Sequence, residues 1–243
     1  MIKKTIKKFL PSFLVNNIWN FKKYFIDLNF KKKNTEDIFS EIYKKNFWGR
    51  KKNNVFYSGP GSHDFSIVDQ YVFFLKEYFS NKKINTIVDL GCGDYNIGKQ
   101  IFSIGKKYIG CDIVEELINY NNKNYGSDNI TFKNINIIID NLPDGDVCII
   151  RQVFQHLSNN QIATVLKKLY KYRYIVITEH LPLQEFEPNL DKLCGPYTRC
   201  DMEVKSGIVI EKSPFNFKYL NKKTILRNSH LDAVLETIVY QIK

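Results

Sequence analysis

From Ile84 onward, short apolar runs alternate with segments whose apolar residues recur every three or four positions. The runs Ile84–Leu90, Tyr108–Cys111, Ile130–Asn134, Asp146–Ile150 and Arg173–Thr178 predict strands. The segments Ile97–Ile104, Val114–Tyr125 and Asn159–Lys171 predict helices between them. Such alternation predicts an α/β fold, a parallel sheet with helices on both faces. Gly207–Glu211, Thr224–Arg227 and Glu236–Ile242 read as later strands. Upstream, the pattern is helical. Phe13, Leu14, Asn17, Ile18, Phe21, Phe25 and Leu28 share one helical face, a second helix runs through Glu36–Phe47, and a third spans Asp64–Phe79 behind a Ser62 or Asp64 cap.

Composition narrows the class. At 243 residues and 44% hydrophobic content, the chain suits one domain with a substantial core plus small additions, and a disordered or fibrous chain is excluded. No apolar run approaches the ~18–20 residues that span a bilayer. The five cysteines are scattered, with no C-x-x-C pair, so a reducing, cytoplasmic setting without structural metal is expected. The net charge of +11 favours anionic partners, nucleic acid or acidic lipid. However, only Arg50, Arg151, Arg173, Arg199 and Arg227 are Arg, the residue best suited to bidentate phosphate and guanine contacts. Pro11, Asn16 and Asn17 break the N-terminal apolar stretch, so no secretory signal is expected. The basic N-terminal helix either packs on the main domain or forms a membrane-surface or dimer contact.

The chemistry concentrates in Ile87-Val-Asp-Leu-Gly-Cys-Gly-Asp94. A buried strand enters a Gly-x-Gly turn, where Gly91 allows the sharp turn and Gly93 a close backbone approach to a ligand. Asp112 ends the next strand, ~20 residues on, where a carboxylate takes both hydroxyls of a ribose; its other reading is a helix cap. Asn96 stands at the third glycine of the dinucleotide fingerprint, which argues against NAD.

Val-Asp-Leu-Gly-Cys-Gly-Asp followed by Tyr-Ile-Gly-Cys-Asp112 resembles the class I S-adenosylmethionine-dependent methyltransferases, over roughly Ile84 to Glu179. The resemblance implies a doubly wound, Rossmann-like sheet of seven mostly parallel strands, the last antiparallel. It implies S-adenosylmethionine as cofactor, with Asp89, Gly91, Gly93 and Asp94 along it, Asp112 and Ile113 at the ribose, and Asn136 at the adenine. Asn134 is a rival for the adenine, and the backbone near Arg151 would line the methionine end. A narrower resemblance, to a bacterial group of capsule and surface-polysaccharide methyltransferases, rests on Tyr57-Ser-Gly-Pro-Gly-Ser62, Arg151, His156-Leu157 and Ser213-Pro-Phe-Asn216. It implies a lid with Ser58 and Ser62 over the cofactor; an ordinary turn is the alternative. The chain then divides into a helical extension and lid, residues 1–62, and a catalytic domain, residues 63–243, with an acceptor-site insert around residues 181–213.

Methyl transfer to a hydroxyl needs alignment and a base. His180, in Thr-Glu-His-Leu-Pro, and His156, after the fourth strand, are the catalytic candidates. Glu179, Gln152 and His63 are candidate substrate ligands. Arg199 would hold a phosphate or carboxylate and Asp201 a sugar hydroxyl; otherwise the two form a surface pair. The expected activity is O-methylation of a sugar, a phosphorylated or nucleotide-linked sugar, or a related small molecule. The alternatives are an RNA methyltransferase, and a cofactor-binding protein without turnover.

Overall fold

The computed structural model describes residues 21, 23, 25–52, 55–230 and 233–243. Most of the expected first helix lies outside these residues; residues 25–31 are helical. Helix α1 (Thr35–Lys44) is capped by Asn34, whose side chain accepts the Asp37 amide. Helix α2 (Phe65–Phe79) is capped by Asp64 through the Ser66 amide. Then β1 (Thr86–Leu90), the short α3 (Gly98–Ile101), β2 (Lys107–Asp112), α4 (Glu115–Tyr125), β3 (Ile130–Asn134), β4 (Val147–Arg151), α5 (Asn159–Lys168), β5 (Tyr174–Pro182), β6 (Asn221–His230) and β7 (Ala233–Gln241) follow.

The seven strands form one sheet in the order β3-β2-β1-β4-β5-β7-β6. The first five strands pair in parallel, and β7 inserts antiparallel between β5 and β6. Parallel strands buried on both faces need apolar residues at successive positions. In β1, Ile87 faces one core, with Tyr71 and Leu75 of α2, while Val88 and Leu90 face the other, with Ile162 and Val165 of α5. β4 divides likewise, Val147 and Ile149 against Cys148 and Ile150. A third cluster joins Phe30, Ile38 and Ile42 to Trp48 and Cys194, seating the N-terminal helices on the later insert. No described helix is long and apolar enough to cross a membrane.

Several expected elements differ: Thr224–Arg227 lengthens to β6, Glu236–Ile242 begins three residues earlier as β7, and the helix expected to reach Phe47 ends at Lys44. Gly207–Glu211 is not a strand: the Asn189 side chain exchanges hydrogen bonds with Val209, taking the partners a neighbouring strand would supply. The Ile97–Ile104 helix shortens to α3 and a 3-10 turn, Phe102–Ile104. The strand expected to end at Thr178 runs on to Pro182, because β7 pairs along all of it.

Strand order reverses between β1 and β4, since β2 and β3 lie to one side and β5 to the other. In an open α/β sheet the crevice beyond the carboxyl ends at this point is where ligands bind.

Candidate active site

A cavity of about 250 Å³ opens at that crevice. Gly91 and Gly93 close β1 with φ of +79° and +54°, a conformation glycine adopts without strain. A Cβ on Gly91 would come within 2.4 Å of Val153, so backbone forms the wall here. The Gly93 amide donates to Asp112 Oδ2 and the Val114 amide to Oδ1, both at 3.1 Å. Burial pushes the Asp112 carboxyl up to about 6, against the lowering effect of these amides. Each carboxylate oxygen keeps a second lone pair for a ligand hydroxyl. Asn121 fixes the loop from behind by donating to the Gly93 carbonyl at 2.8 Å.

Ile113, Ile135 and Ile137 give the cavity an apolar end, edged by Asn136. Asn136 Oδ1 accepts the Ile138 amide at 3.0 Å, which orients the side chain. Its rival, Asn134, does not line the cavity but braces the turn after β2 by donating to the carbonyls of Asp112 and Ile113.

The loop 58–62 packs against the glycine turn and continues its wall. Ser58 Oγ accepts the Asp94 amide at 2.8 Å, and the Ser58 amide donates to Asp94 Oδ2 at 3.1 Å. Asn96 donates to the Ser62 carbonyl at 2.6 Å and Arg151 Nη2 to that of Gly61 at 2.7 Å. The buried Arg151 guanidinium stacks over Tyr71 at 4.9 Å. Its Nε has no hydrogen-bond partner among the described residues.

Phe39, Tyr43 and Trp48 from the N-terminal segment and Thr198 from the insert complete the lining. Trp48 lies 5.0 Å from the His156 ring and donates to the Pro196 carbonyl at 3.2 Å. His180 projects from β5 two residues beyond the last β4–β5 pair, Arg151–Thr178, and so reaches the crevice. Gln152 follows β4 with φ of +58°, a strained position for a residue with a side chain. Its amide stands between Arg151 and His180, at 2.9 and 3.1 Å.

Six expected contacts need correction. Asp89 does not line the cavity; it accepts the Tyr108 hydroxyl at 2.6 Å and braces β1 against β2. Asp94 and His63 pair with each other at 2.6 Å outside the cavity lining, and His63 stacks on Tyr57. They latch the loop to the glycine turn. Glu179 is buried and accepts the Phe154 and Gln155 amides at 2.9 and 3.0 Å, anchoring the turn that carries Gln155; burial pushes its carboxyl up to about 8. Arg199 is 1% exposed and donates to the carbonyls of Leu190, Phe154 and Leu157 and to Asn159 Oδ1. It therefore ties the insert to the β4 turn. Asp201 caps its own turn through Thr198. His156 does line the cavity, but burial pushes its pKa down to about 3, too weak for an effective base at neutral pH.

Phe39, Tyr43, Trp48, Gln155 and Thr198 had no motif to announce them. The helical spacing of Ile38 and Ile42 marks the buried face of α1, and Phe39 and Tyr43 are the next residues on its cavity side.

Residues 88–172 match the family model described as a methyltransferase domain. No curated protein matches the chain. Among solved structures, human N-acetylserotonin methyltransferase in complex with SAM is similar, at 14% identity and a TM-score of 0.55 over 88% of this chain. This chain spans 61% of the length of that enzyme. The N-methyltransferase NodS from Bradyrhizobium japonicum WM9 in complex with S-adenosyl-L-homocysteine gives 11% identity and 0.58, over 87% of this chain and all of NodS. The N-terminal domain of EvdMO1 in the presence of SAH and D-fucose gives 12% and 0.54, over 84% of this chain and 96% of that domain. At these identities, the likeness is one of fold.

Proposed function

We propose that the chain, which is a class I S-adenosylmethionine-dependent methyltransferase by its domain match and its fold, methylates a hydroxyl of a sugar or sugar-derived small molecule. The observation that carries this reading is one cavity that joins the glycine turn and Asp112 to His180 and an aromatic wall.

The residues of the crevice fit the cofactor. Asp112 keeps acceptor capacity for a ribose diol, the isoleucine end suits an adenine, and the unpartnered Arg151 Nε is a buried donor suited to a carboxylate. Ser58 and Ser62 line the cavity from the loop latched onto the glycine turn, the position expected of a lid. When bound, S-adenosylmethionine supplies a methyl group on a sulfonium, ready for in-line displacement.

The protein's own part is to orient the acceptor, exclude water and take a proton. A sugar hydroxyl stays protonated at neutral pH, so a base contributes about 10²–10⁴-fold. His180 is assigned that role, with the Gln152 amide beside it as an acceptor ligand. Trp48 and Phe39 offer flat apolar faces to a sugar ring. The D-fucose present with the similar EvdMO1 domain supports a sugar-sized acceptor. The setting in surface-polysaccharide or capsule synthesis rests on the Tyr57–Ser62 and Ser213–Asn216 resemblance.

The test is transfer from methyl-labelled S-adenosylmethionine to neutral, phosphorylated and nucleotide-linked sugars. A labelled O-methyl sugar is expected, with His180→Ala slower by about 10²-fold or more at unchanged S-adenosylhomocysteine affinity. Tight S-adenosylhomocysteine binding without transfer to any sugar would reject the carbohydrate reading.

A further inference from the structure

The positive charge of the chain is concentrated at one end of the sequence. Residues 1–33 hold nine Lys and a single acid, Asp27, so +8 of the net +11 lies in this segment and +3 in residues 34–243. The Lys residues are interleaved with large apolar side chains. Lys3, Lys4, Lys7 and Lys8 stand among Ile2, Ile6, Phe9 and Leu10, and Lys22, Lys23, Lys31 and Lys32 flank Phe21, Phe25, Leu28 and Phe30.

The described part of this segment has two apolar faces. Ile26 and Phe30, about one helical turn apart, face inward: Phe30 is 2% exposed and joins Ile38 and Ile42 of α1. Phe21 and Leu28, about two turns apart, face outward and are 67% and 42% exposed. The Phe25 ring packs edge-on against Phe21 at 4.7 Å. Lys31 and Lys32, where the helix ends, are exposed. Asp27 is half-buried, and Lys23 donates to the Asp201 carbonyl of the insert at 3.1 Å. The inward face anchors the helix to the domain, and the outward face presents apolar and cationic groups together.

That combination selects a partner. At the surface of an anionic bilayer, apolar side chains enter the interfacial region while Lys heads meet lipid phosphates, at about fivefold in affinity per Lys. Nucleic acid fits less well: residues 1–33 contain no Arg, and Leu28 and the Ile residues offer no flat face on which a base could stack. A second copy fits less well too, since it would bring a further +8 against the same face.

We propose that the N-terminal segment docks the protein on an anionic lipid bilayer, with Phe21 and Leu28 entering the interface and the Lys side chains meeting lipid phosphates. Charge alone would be screened by salt, and two apolar side chains alone give only weak attachment, so both are needed. The cluster that seats Phe30 also packs Phe39 and Trp48, which line the cavity, so the docked segment is joined to the cavity wall through packed side chains. The inference does not depend on which acceptor is methylated.

The experiment is co-sedimentation of the full chain with vesicles of phosphatidylcholine, with and without phosphatidylglycerol at about 30%, in about 0.1 M NaCl. Binding to the anionic vesicles is expected to be about 100-fold tighter or more than to the neutral ones, and to weaken at least about tenfold in about 0.5 M NaCl. Lys3/Lys4/Lys7/Lys8→Gln should weaken it by about 100-fold or more, and Phe21→Ser/Leu28→Ser by about tenfold, both with an unchanged thermal unfolding midpoint. Equal binding to both kinds of vesicle, binding to neither, or wild-type binding by either variant would overturn the proposal. Tighter binding to a single-stranded RNA oligonucleotide than to the anionic vesicles would overturn it in favour of a nucleic-acid contact.

Discussion

A single methyl group added to Gly93 would sit 2.3 Å from Ser58 Oγ. This closeness binds two segments 35 residues apart in the chain, the loop 58–62 and the turn after β1, into one wall of the cavity. Gly93→Ala would meet both the strain of φ +54° and this clash, and Ser58 is not free to yield while it exchanges two hydrogen bonds with Asp94. We expect a stability loss of about 1–2 kcal/mol from the left-handed backbone alone. S-adenosylhomocysteine affinity should fall at least about tenfold as the loop shifts. Calorimetric titration and thermal unfolding measure the two effects. The double variant Gly93→Ala/Ser58→Gly should recover part of the affinity, since it removes the struck atoms and leaves the backbone strain. No recovery would mean that the strain, not the loop contact, dominates.

Asp112 makes cofactor affinity pH-dependent in a direction that can be worked out. Its carboxyl titrates at about 6 in the folded protein, because burial outweighs the amides of Gly93 and Val114. Under the proposed function the carboxylate accepts from the two ribose hydroxyls, so the competent form would be lost as pH falls through 6. S-adenosylhomocysteine affinity should therefore be flat above about pH 7 and drop by up to tenfold per pH unit well below 6. Asp112→Asn should weaken binding by about 10–100-fold near neutral pH, the value of one charge-assisted hydrogen bond, and flatten the profile. An Asp112→Asn protein with the wild-type acid limb would assign that limb to another group.

Arg199 should behave as a structural cation. Its guanidinium satisfies three backbone carbonyls and the Asn159 side chain, and the nearby Glu179 carboxylate offsets part of its burial, which pulls its pKa down to about 10. Arg199→Ala strands several buried acceptors at once, at about 1–3 kcal/mol each before relaxation. We expect a fall of about 3–5 kcal/mol in unfolding free energy by urea denaturation. In the protein that remains folded, the loss should not discriminate between neutral and anionic acceptors. Selective loss of activity on phosphorylated sugars, with stability intact, would restore Arg199 as a ligand.

The contrast between Asp112 and Arg199 shows which parts of the site the sequence discloses. Asp112, Gly91 and Gly93 owe their roles to position in a strand-turn-helix unit, and that unit leaves a local trace in hydropathy and spacing. Asn136 and His180 are legible for the same reason, each following or ending a strand at the crevice. Arg199 lies in a segment without periodicity, and three of its partners are backbone carbonyls that no pattern specifies. The apolar run Gly207–Glu211 looks like a strand because only its side chains are visible in the sequence; its backbone partners come from the Asn189 amide. Trp48 and Gln155 are further removed, since each reaches the cavity only through contacts between distant segments, Trp48 with Pro196 and Gln155 with His180.

His156 supplies a stability test with a definite sign. Its ring is buried and neutral, with a folded pKa of about 3 against 6.5 for an unfolded chain. Between these values the unfolded state binds the extra proton. This residue's contribution is therefore complete above pH 6.5 and is lost as pH falls toward 3. The slope approaches about 1.4 kcal/mol per pH unit well below 6.5. Asp89 and Asp112 act in the opposite direction, because burial raises their carboxyls to about 6 and the folded state holds their protons more tightly. The raw acid profile therefore mixes signs, and only the difference from a variant isolates His156. His156→Gln removes the titrating ring and should destabilise the protein near pH 7.5, where the bond to the Gly195 carbonyl and the packing against Trp48 are lost. The gap between wild type and variant, read from urea unfolding, should then narrow by about 2 kcal/mol between pH 7.5 and pH 5. A gap that stays constant would mean that His156 has the same pKa folded and unfolded, and is therefore largely protonated in the folded protein at pH 5. In that state Nε2 could not accept from Gln155, and the orientation of the glutamine facing His180 would reverse.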